Sequence, residues 1–412
     1  MLQHLVKSLW KRKTKQLMIS AEILLIFVVV FALVVGVIYN LNLYKTPLGF
    51  EYSDRWSIHL QGKPGSIFNP DLGAQPSTQD LSDIRDSMDR FERGLSEMQE
   101  IESVSFVQFV PYNFSAYRGQ IKRVDSDRRV DELFLEMDSH AAKTLGIQML
   151  SGRWFEKQDE FDGNNVAIID QNLANDLFPG EDPIGKVVVN AYSEEKNPTH
   201  IKVIGVVEQY RYRGEFMGKE NVMIFPALNR QSAALSNVVI KVKPGTPRNF
   251  EIKLHNKLKQ LQSDTEYKIA TLTEGRDEML RQKAVFFIPP ILIAAFLLIM
   301  VCFGLFGVLW QNVNSRIPEL GLRRAVGASS AQIYAQIVTE QVLLSSLAMV
   351  VGMLFLVQLA FTGIFAKFMD WSSFFISAGI AMAIIYVASI ACSLYPAWMA
   401  SRMNPTDALH YE

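Results

Sequence analysis

FFIPPILIAAFLLIMVCFGLFGVLW (286–310) decides the fold class. It is the centre of a run from Ala284 to Ser315 that contains no charged side chain. Roughly 20 mostly apolar residues suffice to cross a hydrocarbon core about 30 Å thick. Buried helices of water-soluble domains rarely go so far without a charge, so the run reads as a membrane helix. Working outward, three more uncharged runs qualify: Ile23 to Tyr44, Gln341 to Ala366, and Trp371 to Ser401. The expectation is four transmembrane helices, at 18–44, 284–312, 336–362 and 373–395, with one large domain over 45–283.

Composition agrees with that mixture. The 412 residues are 49% hydrophobic and 20% charged, high for a soluble protein and low for one wholly in lipid. A net charge of −1 gives no overall basicity to suit nucleic acid. The two cysteines, Cys302 and Cys392, both lie in apolar runs, so no disulfide framework and no CxxC motif is available.

Orientation follows from the flanks. Lys7, Lys11, Arg12, Lys13 and Lys15 precede the first span without an acidic residue, a cytoplasmic signal. Arg316, Glu319, Arg323 and Arg324 make the segment between the second and third spans basic as well. Both termini (1–17 and 396–412) and the 313–335 segment are therefore expected in the cytoplasm, with 45–283 and the short loop 363–372 outside. The first apolar core is too long for a signal peptide and no small-x-small site follows it, so it reads as an uncleaved anchor. Pro289 and Pro290 either bend the second helix or sit harmlessly near its start. Glu22 and Glu340, at the cytoplasmic ends of two spans, could relay protons; pairing with a nearby Lys or Arg at the interface is the simpler reading.

The outer segment carries 31 of the 41 basic and 36 of the 42 acidic side chains, as suits a solvated domain. RWSIHL (55–60), a helix over about 80–99 and SVSFVQFV (103–110) form strand, helix, strand. Ile84, Met88, Phe91, Leu95 and Met98 make one apolar stripe on that helix, fit for packing on a sheet. The order recurs with NVVIKV (237–242), a helix bearing Phe250, Leu254, Leu258 and Leu261, and EYKIATL (266–272). The expected domain is one α/β layer assembled from both ends, with a mainly β subdomain inserted over 121–235 and a short helix near 171–178.

Motifs for chemistry fail. GEDPIGKV (180–187) outlines a phosphate loop, but Val187 stands where Ser or Thr should hold magnesium, Pro183 interrupts it, and a strand is expected after it instead of a helix. DEFDGNN (159–165) lacks the alternating carboxylates of a calcium loop. No HExxH or GxSxG occurs, and no His lies at helical spacing from another His or a Cys. No catalytic, cofactor-binding or metal residue is assigned.

Three stretches carry a likeness. SRIPELGLRRAVGASSAQIYAQIVTEQ (315–341) resembles the signature of the MacB/FtsX-like permeases of ABC transporters through Glu319, Gly321, Leu322, Arg323, Arg324, Gly327, Ala328 and Glu340. YPAWMASRMNPTDALHYE (395–412) is similar to the family's ending through Pro396, Ala397, Ala400, Pro405, Ala408, Leu409 and Glu412, with His410 in place of the usual Arg. GIQMLSGRWFEKQDEFDGNNVAIIDQNLANDLFPGEDPIGKVV (146–188) is similar to the family's periplasmic core domain. Ile317 and Pro318 depart from it, standing where polar, helix-friendly residues are commoner.

The resemblance implies a non-catalytic permease in a bacterial inner membrane, its outer domain in the periplasm. It implies ATP bound by a separate ATPase subunit, since only about 20 residues precede the first span, and the permease working as a homodimer or heterodimer. Glu319, Gly321, Leu322, Arg323, Arg324, Gly327 and Ala328 would couple to the ATPase. Mechanical work outside the membrane would expel peptides, antibiotics or other periplasmic substrates, with an adaptor and outer-membrane channel as further partners. Gly36, Gly304 and Gly307 would permit close helix contact. Rival expectations are a lipoprotein-releasing or cell-division-regulating permease of the same family, and a receptor that signals without ATP.

Overall fold

A computed structural model of the chain describes residues 13–61, 78–160, 165–192, 199–227, 236–363 and 369–402. Lys7, Lys11 and Arg12, and Pro405 to Glu412 of the C-terminal motif, lie outside the described residues. Two compact units emerge: Leu43–Lys283, and the described residues before and after it.

Leu43–Lys283 is built on a mixed sheet. Strands β1 (Arg55–Gln61) and β2 (Ile101–Val107) flank helix α2 (Thr78–Ser96); β10 (Asn237–Val242) and β11 (Glu266–Thr271) flank α5 (Phe250–Leu261). Their order is β11-β1-β10-β2, antiparallel throughout, so each strand–helix–strand unit is split by a strand of the other. The stripe of α2 (Ile84, Met88, Phe91, Leu95) and that of α5 (Phe250, Leu254, Leu258) pack with Trp56, Ile58, Val104, Phe106, Val238 and Ile240 into one core. The layer is thus assembled from both ends of this unit.

The residues between them form a second lobe. Strands β3 (Tyr117–Arg123), β4 (Val130–Met137), β6 (Val166–Asp170), β7 (Val187–Asn190), β8 (His200–Val207) and β9 (Val222–Pro226) pair in the order β4-β3-β7-β8-β6-β9. β9 returns to pair with β4 in parallel, closing the six into a ring. Such closure leaves no bare edges among the six. In β6 and β9, Ala167, Ile169, Met223 and Phe225 enter one core while Ile168, Val222 and Ile224 enter another. Both faces are buried, which is why these strands read as unbroken apolar runs. The lobe begins at Tyr117, four residues earlier than periodicity suggests. It joins the first lobe's sheet through a single residue pair, Val107 with Met137.

Asp138 reinforces this narrow junction. Its carboxylate, buried, accepts from Ser105 Oγ (2.7 Å), the Phe106 N–H (2.7 Å) and the His140 N–H (3.0 Å). Between β4 and β6 lie α3 (Ala141–Leu145), β5 (Met149–Gly152) and a 3-10 turn (Lys157–Glu160). Gly152 sits at φ +74°, where a side chain would strike the Ile204 carbonyl and Gly205. Arg153 grips Asp159 with both terminal guanidinium nitrogens and Phe155 is buried, so the stretch Gly152–Phe155 is a packing device. Helix α4 (Gln171–Leu177) is capped by Asp170, and Gly180 and Gly185 turn the chain back into β7. The phosphate-loop outline therefore leads into a strand, as anticipated, with Lys186 held over the Phe178 ring and paired to Glu181.

The other unit is helical. Four helices among the described residues are long and apolar enough to cross a membrane: α1 (Lys13–Lys45), α6 (Leu272–Asn314), α8 (Ser330–Phe361) and α9 (Trp371–Arg402). Ile23, Ile26, Phe27, Val30 and Phe31 of α1 face Leu344, Ala348 and Met349 of α8 and Phe374, Ala378 and Ala381 of α9. Gly352 lets the Phe27 ring approach so closely that a Cβ would lie 2.7 Å from it. Ser345 donates to Ser389 (3.0 Å), and Ser346 bonds the Tyr386 hydroxyl (2.7 Å), polar links of the kind that hold helices together in lipid. Helix α6 runs unbroken through Pro289 and Pro290 and begins at Leu272, well before the expected 284.

Candidate functional site

Between α6 and α8 stands α7 (Ile317–Ala325), a helix of nine residues. Its limits are written in the sequence. Pro318 occupies the first turn, where its missing N–H costs nothing, and Glu319 beside it suits the positive end of the helix dipole. Thus the Ile-Pro departure starts the helix instead of displacing it. At the other end Gly327, at φ +104°, terminates the helix: its N–H donates to the Arg324 carbonyl and the Ala328 N–H to the Arg323 carbonyl, both at 3.0 Å. These two bonds make a Schellman stop. Ser329 then caps α8 in a reciprocal pair with Gln332. Stop, one residue, start: that is the physical content of Ala-Val-Gly-Ala-Ser.

Nothing lies within 4 Å of a Cβ at Gly327, so substitution there meets only backbone strain. Gly327→Ala is expected to destabilise the turn by about 1–2 kcal/mol. A thermal melt of the detergent-solubilised chain should show it, with Gly327→Asn costing less than Gly327→Ala.

The inner face of α7 is fixed to its neighbours. Ile317, Leu320 and Gly321 are buried, and Leu320 shares a core with Val313, Ile333, Ile337, Ala397 and Ala400. Arg316, just before α7, is nearly buried and reaches Glu340 of α8, with Nη1 to Oε2 at 2.5 Å and Nη2 to Oε1 at 3.4 Å. Its Nε bonds Glu319 at 3.3 Å. Burial works against the charge on Arg316, but the hydrogen bond and charge of Glu340 outweigh it and raise its pKa. Glu340 is thus an ion-pair partner. Glu22, the other acid of this kind, packs beside Gly304.

The outer face is different. Leu322 is 56% exposed and Val326 83%. With Arg323, Gly327, Ala328, Gln332, Ile333 and Gln336 they line an open groove of about 590 Å³. Arg323 is held upright by Glu319 (3.0 Å) and Gln336 (2.7 Å). Arg324 instead donates to the Ser401 carbonyl (3.0 Å), at the negative end of α9. All seven coupling residues expected from the sequence therefore come together, on α7 and the turn after it. They divide into an exposed set (Glu319, Leu322, Arg323, Gly327) and a bracing set (Gly321, Arg324), with Ala328 half-buried in the turn. Sequence reasoning treated the two arginines alike, and it did not single out Arg316, Gln336 or the Ser329–Gln332 cap, although Ser-x-x-Gln is a legible capping signal. Of the three packing glycines, Gly304 alone touches a neighbour; Gly36 and Gly307 face open space in this chain.

Long apolar helices around a basic helical turn, with a mixed-sheet domain between the first and second, define a polytopic membrane protein of the permease type. The chain belongs to the ABC transporter permeases of the MacB/FtsX-like family: residues 23–249 match the MacB-like periplasmic core domain and 291–405 the FtsX-like permease C-terminal domain. It is 24% identical over 274 residues to the ABC transporter permease YknZ of Bacillus subtilis, covering 65% of this chain and 66% of that one. It is 27% identical over 283 residues to the macrolide export ATP-binding/permease protein MacB of Neisseria meningitidis serogroup A, covering 64% of this chain and 41% of that protein. The match thus spans less than two thirds of either relative. Among solved structures, the periplasmic region of MacB from Actinobacillus actinomycetemcomitans aligns with 59% of this chain and 97% of its own, at 16% identity and a TM-score of 0.36.

Proposed function

We propose that this chain is the transmission subunit of an ABC transporter. The outer face of α7 and the turn after it dock in a groove of a separate ATPase subunit, which binds the ATP. Nucleotide-driven motion of that subunit passes through the helices to the periplasmic core domain. The observation that carries the reading is the pairing of two faces on one short helix: Leu322 and Val326 exposed beside Arg323, with Arg316–Glu340 and Arg324–Ser401 bracing the opposite side. An exposed apolar pair on a braced helix is costly unless a partner covers it. On this reading the termini and α7 lie in the cytoplasm of a bacterial inner-membrane protein. Two permeases associate through α1 and α6, where Gly36 and Gly307 face open space and allow close approach and α6 leaves Phe286 and Phe303 exposed. The substrates are peptides, antibiotics or other periplasmic compounds. The export function in the name of the Neisseria relative, and the absence of a midplane charge from the helix cores, support efflux over a hydrophilic pore.

The test is affinity purification from the native membrane. An ATP-binding subunit should co-purify, and Leu322→Asp with Val326→Asp should reduce its recovery at least tenfold at an unchanged melting temperature. If the native protein brings down no ATPase, a receptor working without ATP becomes the better reading. If the complex forms but its cargo is lipoprotein, or cell division fails in its absence, the efflux assignment falls and the transmission role stands.

A further inference from the structure

Only two covalent connections lead out of the Leu43–Lys283 unit, the end of α1 and the start of α6. Both meet the same loop, residues 209–217. Arg211 is its centre. It is completely buried, and all five of its guanidinium N–H groups are matched by backbone carbonyls. Nη1 donates to Leu43 O (2.9 Å) and Thr46 O (2.8 Å), Nη2 to Glu215 O (2.5 Å) and Met217 O (2.9 Å), and Nε to Met217 O (3.2 Å). Leu43 O belongs to the last turn of α1, the negative end of that helix, so the charge caps it. The Arg211 N–H adds a bond to Leu48 O at 2.8 Å.

The same loop holds α6. Glu215, also buried, accepts from Arg276 Nε at 2.5 Å. Arg276 in turn reaches the Tyr44 hydroxyl (3.3 Å) on α1 and lies over the Tyr52 ring. Tyr112 wedges between the loop and α6: its ring is 3.0 Å from where a Cβ of Gly214 would stand and 3.9 Å from one at Gly275. Its N–H bonds Tyr212 O at 2.6 Å, and its backbone is held at φ +69°, a conformation a bulky residue adopts only when its surroundings impose it.

We propose that residues 43–49, 209–217 and 272–283 form one rigid joint, pinned by Arg211 and by the Arg276–Glu215 pair, so that the end of α1 and the start of α6 open and move as a unit. The physical reason is that a buried guanidinium cannot surrender one carbonyl cheaply: each lost bond leaves a desolvated donor and acceptor, so partial opening is disfavoured against opening the whole joint. The joint deepens the transmission reading, on which it rests for its meaning: it is where helix movement would enter the periplasmic domain. Its existence needs no ATPase.

The test is hydrogen exchange by mass spectrometry on the full chain in lipid nanodiscs without nucleotide. Arg211→Lys keeps the charge but supplies three donors from a point in place of a five-donor fork. It should raise exchange about tenfold in 43–49 and 209–217, and by a similar factor in 276–283, which the Arg276–Glu215 pair ties to the same loop. Glu215→Gln, a milder change that carries the test alone if the lysine variant misfolds, should loosen 276–283 and also 43–49. The proposal is overturned if either variant loosens only the segments its own side chain contacts, or if the ring strands β3 to β9 loosen equally, which would make these residues ordinary core. Failure of an ATPase to co-purify would sink the transmission reading and leave this result untouched.

Discussion

Replacing Arg316 by alanine is expected to destabilise the helical unit by about 3–5 kcal/mol, because it strands Glu340 in a nearly buried site with its charge unpaired. Glu340 would keep one bond, from Gln336 Nε2 at 3.0 Å. α7 would then be held by the core around Leu320, by Arg324 and by the exposed Arg323–Gln336 bond, and its outer face would lose part of its fixed aim. Recovery of a co-purifying ATPase should fall with it, in contrast to the docking-face substitutions, which leave the melt unchanged. The double replacement Arg316→Met with Glu340→Leu removes both charges and fills similar volume, and such swaps cost little or nothing. A thermal-melt cycle over the two singles and the double checks this. A double variant as unstable as Arg316→Ala would mean the pair is not what braces α7.

How much of this was legible in the sequence differs by element. The long uncharged runs declare the four apolar helices, since charge is the one thing lipid excludes. The stripe of α2 at helical spacing and its echo in α5 disclose the layer assembled from both ends of the domain. The ring was not legible: β6 and β9 are buried on both faces, so they lack the alternation that assigns a side, and parallel pairing of β4 with β9 is set by residues 89 positions apart. For α7 the Pro start and Gly stop are local and readable. The division of labour between Arg323 and Arg324 is not, because it depends on Ser401 arriving from α9, and the same is true of Arg316 and its partner on α8. The joint around Arg211 is the extreme case. Its acceptors are backbone carbonyls, which any residue supplies, so no pattern of side chains could have announced it.

The outer unit is expected to become more stable as the pH falls from 8 to 5.5, the reverse of ordinary acid denaturation. Three buried carboxyls account for this. Burial pushes Asp138, Glu160 and Asp170 up to about 7 each, against ordinary values near 4. For Asp138 the donors at Ser105, Phe106 and His140 resist the rise, and the neighbouring Glu92 adds to it. For Glu160 the charge of Asp138 adds to it. The folded state therefore holds these protons through a range in which the unfolded chain has released them. Stability from this source is complete below about pH 4 and is lost as pH rises toward 7. Each group is worth about 2 kcal/mol between pH 8 and 5.5, less for Asp138 and Glu160, which oppose each other's ionisation. Ion-paired acids work the other way: Asp159, held down by Arg153, and Glu274, held down by Arg248, destabilise the fold only when protonated, below about pH 4. The optimum should thus lie near pH 5, with a melting temperature on the order of 10 °C above that at pH 8 for a unit of this size. Tryptophan fluorescence melts across that range would measure it. Asp138→Asn should lower stability at pH 5.5, since its amide must face an N–H donor, while flattening the slope. An unchanged slope in that variant, or a melting temperature that falls steadily from pH 8 to 5.5, would show that these carboxyls are ionised in the fold and held by their donors.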